Sequence, residues 1–323
     1  MKRTVVTGAG GFIGSHLTEH LVRSGVRVRA FVHYDSTGTR GWLDHSELAS
    51  DVEFFAGDVR DHDSVRRALD GAEVVFHLAA LVGIPYSYAS PQAYVRTNVD
   101  GALNVLEAAR EHGVERVVLT STSEVYGTAQ HVPMDETHPV RCQSPYAATK
   151  AAADQLALSY HKAFGVPAVL ARPFNAFGPR QSDRALIPSV IAQLHAGDRV
   201  RLGNLHPTRD FTFVDDVVRG FVAIAGADDL IGEAVHIGSG SERSVGELVQ
   251  LIARLMERTA VVEALDERRR PAASEVDRLV CDASKLCAAT GWAPQVDFET
   301  GLRRTIAWMD ERREHFRPGE YRT

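Results

Sequence analysis

Thr4-Val5-Val6-Thr7-Gly8-Ala9-Gly10-Gly11-Phe12-Ile13-Gly14 decides the fold. A short apolar run ends in a glycine cluster, and an amphipathic stretch begins directly after it. Gly8, Gly11 and Gly14 give the spacing G-x-x-G-x-x-G. Glycines there permit a tight turn and a close approach of backbone to a pyrophosphate, which then lies at the positive end of the next helix. Gly8, Gly11, Phe12, Ile13 and Gly14 are the expected cofactor contacts of this turn. The stretch therefore reads as the first strand and helix of a dinucleotide-binding sheet.

Outward from it, short apolar runs alternate with amphipathic ones. Strands are expected at Thr4–Val6, Val28–Val32, Val52–Ala56, Val74–Leu78, Val117–Thr120 and Val166–Ala171. Helices are expected near Ser15–Ser24, Asp63–Leu69, Asp100–His112 and Ser144–Phe164. This alternation predicts an α/β protein, a doubly wound parallel Rossmann sheet with ligands at the carboxyl ends of its strands. After Pro173 the pattern loosens, with turns at Gly178-Pro179, Gly203-Asn204 and Pro207. Ala234–Ile237 reads as a strand returning to the sheet, and helices follow near Val245–Glu257 and Phe298–Arg312. We expect a dinucleotide-binding domain over 1–172 with a return segment at 213–237. Segments 173–212 and 238–323 then form a smaller, discontinuous α/β substrate-binding lobe. The Arg268–Arg270 run before Pro271 reads as a solvated surface loop.

Composition narrows the class. Of 323 residues, 44% are hydrophobic and 24% charged, with a net charge of -6 and both signs mixed. That excludes nucleic acid or an anionic membrane as the main partner. The three cysteines, Cys142, Cys281 and Cys287, show no C-x-x-C spacing, which suits a reducing compartment. No apolar segment has signal or membrane-span length, so a cytoplasmic protein is expected. His16 and His20 sit one helical turn apart but lack a third ligand, so no metal is expected. No G-x-S-x-G elbow supports a hydrolase.

Chemistry concentrates in two stretches. Tyr146 and Lys150 lie four residues apart, on one face of a helix. An ammonium beside a phenol favours the phenolate, so the tyrosine can act as a base well below its free pKa of about 10. Just upstream stand Ser121-Thr122-Ser123-Glu124. Alcohol oxidation alone needs no carboxylate, so Glu124 points to a second proton transfer, at carbon. For the cofactor, Asp35 lies where a ribose-binding acid is expected, and Asp58 with Val59 lies where adenine is read. Leu78, Ala79 and Ala80, after His77, let a cofactor lie flat across the strand end. No arginine adjoins His33, which puts NAD ahead of NADP as the expected cofactor.

These motifs resemble the extended short-chain dehydrogenase/reductase family of nucleotide-sugar epimerases, dehydratases and decarboxylases. The resemblance covers nearly the whole chain and includes Asn98 in T-N-V-D-G, Arg172-Pro173-Phe174-Asn175, Gly178-Pro179-Arg180 and Arg209-Asp210-Phe211. It implies a nucleotide-diphosphate sugar as substrate, with Asn175 and Arg209 on the diphosphate and Ser87, Ser123 and Arg180 at the sugar. It also implies cofactor contacts from Asn98 and Pro173, and a homodimer through helices 100–112 and 144–164. Thr122-Ser123-Glu124 is similar to the triplet of GDP-mannose-type 4,6-dehydratases and of UDP-glucuronate decarboxylases. Residues 80–88 and 203–211 resemble N-acetylglucosamine 4,6-dehydratases of legionaminic-acid-type pathways. The implied reaction is 4,6-dehydration, with Thr122, Glu124, Tyr146 and Lys150 as its catalytic residues. Decarboxylation of a uronic acid and 4-epimerisation are the alternatives.

Overall fold

The computed structural model describes residues 3–316. Its strands, in chain order, are β1 (Arg3–Thr7), β2 (Arg27–His33), β3 (Val52–Gly57), β4 (Val74–His77), β5 (Arg116–Thr120), β6 (Ala168–Pro173), β7 (Asn175–Phe177), β8 (Arg199–Leu202), β9 (Thr208–Phe213), β10 (Ala234–Ile237), β11 (Glu242–Ser244), β12 (Val261–Ala264) and β13 (Arg278–Leu279). The α-helices are α1 (Phe12–Arg23), α2 (His62–Leu69), α3 (Ile84–Ala89), α4 (Pro91–Tyr94), α5 (Gly101–His112), α6 (Pro145–Phe164), α7 (Leu186–Ala196), α8 (Val214–Gly226), α9 (Val245–Leu255), α10 (Ser284–Thr290) and α11 (Phe298–Asp310). The main sheet has the order β10-β6-β5-β4-β1-β2-β3, all parallel. Strand order reverses between β1 and β4, where a doubly wound sheet opens its ligand crevice.

Burial explains the sheet. Val5, Val6, Val75, Val117, Val118, Val169 and Leu170 are fully buried, because helices cover both faces of a parallel sheet. One core, with Leu17, Val118, Val217 and Phe221, packs on the side of α1 and α8. The other, with Val75, Val105, Leu106 and Ala157, packs under α2, α5 and α6. The return strand Ala234–Ile237 pairs parallel with β6, Ile237 opposite Pro173. Beyond it, β11-β9-β13 form a second sheet with β7 on β9, and β12-β8 a third.

Three features differ from the sequence reading. Helices α7 and α8 lie in the stretch whose pattern had loosened. Helix α7 is apolar on most faces and largely buried, so it carries little amphipathic period to detect. Helix α8 is amphipathic, with Val217, Phe221 and Ile224 on its buried face, and the sequence reading passes over it. The helix expected from Asp100 begins earlier: α4 runs into a π-helical segment, Val95–Asp100, and then α5. Pro91 opens it at a position where a missing N–H costs nothing. The third concerns the arginine run and is taken up with the site. No helix among the described residues is long and apolar enough to cross a membrane.

Candidate active site

The helix carrying Tyr146 and Lys150 is fixed at both ends. Ser144 caps α6 by accepting the Ala147 N–H at 3.1 Å, Pro145 occupies its first turn, and Gly165 ends it in the left-handed conformation. Tyr146 therefore projects from the first turn and Lys150 from the next, and both side chains are buried. Burial holds the Tyr146 phenol above its ordinary pKa, and its hydrogen bond with Thr122 opposes that. Burial pulls the Lys150 amine down to about 8, and Asp154 opposes that. The edge of Tyr94, 6.3 Å away between centroids, meets the Tyr146 ring.

Thr122 and Glu124 sit where β5 ends. Thr122 caps the short 3-10 turn Ser123–Tyr126, its Oγ1 accepting the Glu124 N–H at 3.2 Å. The one hydroxyl thus serves both the phenol and the backbone of the acid. Glu124 is near enough to Tyr146 for its charge to raise the phenol's pKa. Ser123 is buried in the same turn.

Around the carboxylate the structure corrects the solvated-loop expectation for Arg268–Arg270. Arg270 turns inward, its Nη1 3.8 Å from Glu124 and 3.9 Å from Glu275. That nitrogen is buried with no hydrogen-bond partner. Arg209, on β9, places Nη2 3.8 Å from Glu275, and Glu124 also acts on its charge. Two arginines and two glutamates thus face one another at ion-pair distances too long for hydrogen bonds. Arg268 donates to the Arg201 carbonyl at 2.8 Å. Gln143 carries Arg270 into place. Its amide nitrogen donates to the Ala273 and Glu275 carbonyls at 3.2 and 3.0 Å, tying that loop to the start of α6. No short-range sequence signal marks this contact.

On the cofactor side, Gly8 has φ +69°, and a Cβ there would lie 2.7 Å from the Ala79 nitrogen. A Cβ on Gly14 would lie 2.1 Å from the Gly8 carbonyl oxygen. The Thr7 hydroxyl accepts the Leu78 and Ala79 N–H groups at 3.2 Å each, holding Leu78–Ala80 against the glycine turn. Gly11 begins α1 with no side-chain cap, which leaves the helix's first N–H groups for an anion. Shape and donors fit a dinucleotide, with Phe12, Ile13 and Gly14 at the pyrophosphate end. Gly14→Ala should yield protein without bound dinucleotide and destabilise the fold by about 1–3 kcal/mol, the cost of overpacking. Cofactor content after purification and Tm measure both effects.

Other expected residues are placed as follows. Asp35 accepts from the Thr37 N–H and hydroxyl at 2.6 and 2.7 Å through one oxygen, an Asx turn just after β2. Asp58 is gripped by Arg60, whose Nε lies 2.9 Å from both its oxygens. Val59 is buried, and its carbonyl accepts from Asn104 at 2.9 Å. Pro173 closes β6, and Asn175 on β7 lies opposite Phe211. Asn98, expected at the cofactor, supports the loop after β4. Its amide accepts the Leu81 N–H (2.9 Å) and donates to the Leu81 carbonyl (3.0 Å) and Thr149 hydroxyl (3.1 Å). Ser87, expected at the substrate, is fully buried, and its hydroxyl donates to the Ile84 carbonyl at 2.7 Å. Arg180 reaches Glu19 on α1 at 2.8 Å. His16 meets the Pro179 carbonyl at 3.0 Å.

The chain is similar to known proteins over nearly its whole length. The family model described as GDP-mannose 4,6 dehydratase matches residues 5–305. A dTDP-glucose 4,6-dehydratase of Streptomyces griseus is 36% identical, over 97% of this chain and 96% of its own. A UDP-N-acetyl-alpha-D-glucosaminuronate decarboxylase of Bacillus cytotoxicus is 34% identical, over 96% and 98%. Among solved structures, a dTDP-glucose 4,6-dehydratase of Streptomyces venezuelae with NAD bound superposes with a TM-score of 0.88 at 32% identity. The match covers 97% of this chain and 98% of that one. A UDP-glucuronic acid 4-epimerase of Bacillus cereus, in complex with UDP-glucuronic acid and NAD, also gives 0.88, at 30% identity over 96% and 99%. The chain therefore belongs to the GDP-mannose 4,6 dehydratase family, within the extended short-chain dehydrogenase/reductase group of nucleotide-sugar dehydratases and epimerases.

Proposed function

We propose that this protein is an NAD-dependent nucleotide-sugar 4,6-dehydratase that converts an NDP-hexose to its 4-keto-6-deoxy form. The observation that carries the reading is Glu124, fixed by the Thr122 that also binds the Tyr146 phenol. NAD, when bound, supplies the hydride acceptor for C4 and the hydride donor for C6. Tyr146 takes the C4 hydroxyl proton, Thr122 orients that oxygen, and Lys150 supplies positive charge. A C4 ketone acidifies the C5 proton, which Glu124 removes and passes to the departing C6 hydroxyl so that water leaves. As hydride reaches C6, C5 takes a proton that comes from solvent. Arg209 and Arg270 would supply positive charge to the diphosphate, together with the Asn175 amide. Residues 80–88 and 203–211 favour N-acetylglucosamine as the sugar.

One observation favours a second reading. Arg270 stands 3.8 Å from Glu124, where a cation could steady the carboxylate of a uronic acid before decarboxylation. Incubating the holoenzyme with dTDP-glucose, UDP-N-acetylglucosamine, GDP-mannose and UDP-glucuronate, and weighing the products, separates the readings. Loss of water from a neutral hexose is the expected result. Loss of carbon dioxide from the uronate, or an unchanged mass with an inverted C4, would replace dehydration.

A homodimer through α5 and α6 is part of the same reading, on a narrower surface than the sequence suggests. Val105, Leu106, Ala109 and Tyr160 are buried within the protomer, which leaves Leu103 and Leu156 half-exposed on those helices. Light scattering at micromolar concentration should give twice the 35.3 kDa chain mass; a monomer would remove the dimer from the account.

A further inference from the structure

Three distant stretches of chain meet at the hydroxyl of Ser274, on the loop that carries Arg270. Ser274 donates to the Gln143 carbonyl, just before α6. The Tyr88 hydroxyl lies 2.6 Å from Ser274 Oγ, although the two residues are 186 positions apart in sequence. A serine hydroxyl has one proton, and Gln143 takes it, so Tyr88 is the donor of the second bond. Tyr88 stands on α3, between β4 and β5 of the main sheet. Ser274 is buried, while Tyr88 is 37% exposed. Its hydroxyl bond thus ties the α3 wall to the arginine loop.

From Ser274 the tie continues to Arg270 through backbone hydrogen bonds. The Ser274 and Glu275 N–H groups return to the Pro271 carbonyl at 2.8 and 3.1 Å, which closes a turn directly behind Arg270. Arg270 itself is held by little else. Its Nη1 is buried with no hydrogen-bond partner, at 3.8 Å from Glu124 and 3.9 Å from Glu275. Those distances are too long for hydrogen bonds, so the loop sets where the guanidinium stands. Arg209 differs: it lies on β9, and its Nη1 donates to the Thr208 carbonyl at 2.9 Å, independently of the loop. We propose that Tyr88 is a positioning residue for Arg270, acting through Ser274. The Tyr88–Ser274 bond clamps the loop so that the guanidinium faces Glu124 and an arriving diphosphate.

The proposal rests on the reading of Arg270 as positive charge for the diphosphate, and binding alone tests both. Calorimetric titration of the NAD-loaded enzyme with dTDP, UDP and GDP supplies the measurement. These probes carry no sugar, so a contact between Tyr88 and a hexose does not enter. For the tightest of them, Arg270→Ala should weaken binding by about 10-fold or more, and Tyr88→Phe and Ser274→Ala by about 3–10-fold each. Tyr88→Phe leaves Ser274 bonded to Gln143, so it keeps the test open should Ser274→Ala fold poorly. The deciding variant is Tyr88→Phe/Arg270→Ala, which should bind no more weakly than Arg270→Ala, because residues acting through one another are not additive. A merely structural role for Tyr88 would weaken both backgrounds alike. Wild-type binding by Arg270→Ala, or no binding of any probe, would refute the reading of the arginine and the proposal with it. A weakened Arg270→Ala beside an unchanged Tyr88→Phe overturns the proposal alone, as does a Tyr88→Phe loss that persists undiminished without Arg270.

Discussion

Replacing Tyr146 by Phe is expected to lower turnover by about 10³-fold, within the range that general-base groups contribute, while nucleotide-sugar affinity changes little. The phenol oxygen is the only atom removed. The ring stays packed against Ile84 and Tyr94, so the fold should survive with a modest change in Tm. Burial raises the phenol's pKa in the ligand-free protein, so the base depends on positive charge arriving nearby. Lys150 supplies one such charge below about pH 8, where its amine is protonated. Activity should therefore decline as pH rises through the Lys150 pKa, and Lys150→Met should flatten that limb. Turnover of Tyr146→Phe within severalfold of wild type would remove the tyrosine from the chemistry.

Glu124→Gln carries the second large effect. Glutamine keeps the size and the turn capped by Thr122, but it cannot take a proton from C5. Elimination should slow by about 10²–10⁴-fold, while oxidation at C4 continues. Adding substrate should then leave the cofactor reduced, visible as a standing absorbance near 340 nm that wild type shows only transiently. The neighbouring arginines bear on the same test. With Glu124 neutral, Arg270 retains Glu275 as its one ion-pair partner among the described residues, so diphosphate affinity should hold or rise. Water loss at the wild-type rate would exclude Glu124 as the base.

Local sequence carried the central elements because the forces that form them are local. The glycine turn, the β-runs of the first half and the capped helix from Ser144 each follow from neighbours in the chain. The Tyr146–Lys150 spacing reads directly as one helix face, and Asp154 extends the same face. Its ion-pair partner Arg172 lies on β6, and no periodicity joins the two. Arg270 was illegible for a related reason. Its approach to Glu124 depends on Gln143 binding Ala273 and Glu275, residues at least 130 positions away in sequence. A run of three arginines is more often solvated, and nothing beside it signals otherwise. Ser87 and Arg180 occupy plausible motif positions, yet the Ser87 hydroxyl is turned to Ile84 and Arg180 Nη2 to Glu19. Hydroxyl and guanidinium direction is set by tertiary packing. The sequence pattern reports only that such groups are near.

The central claim is that Glu124 moves a proton at C5 while water leaves from C6. Running the wild-type reaction in heavy water, on whichever neutral nucleotide hexose turns over, tests it most directly. The 4-keto product should have lost one water and gained one deuterium, located at C5 by NMR, with C6 carrying the hydride that began at C4. Water lost with no deuterium at C5, or a product that keeps its C6 hydroxyl, would contradict the account.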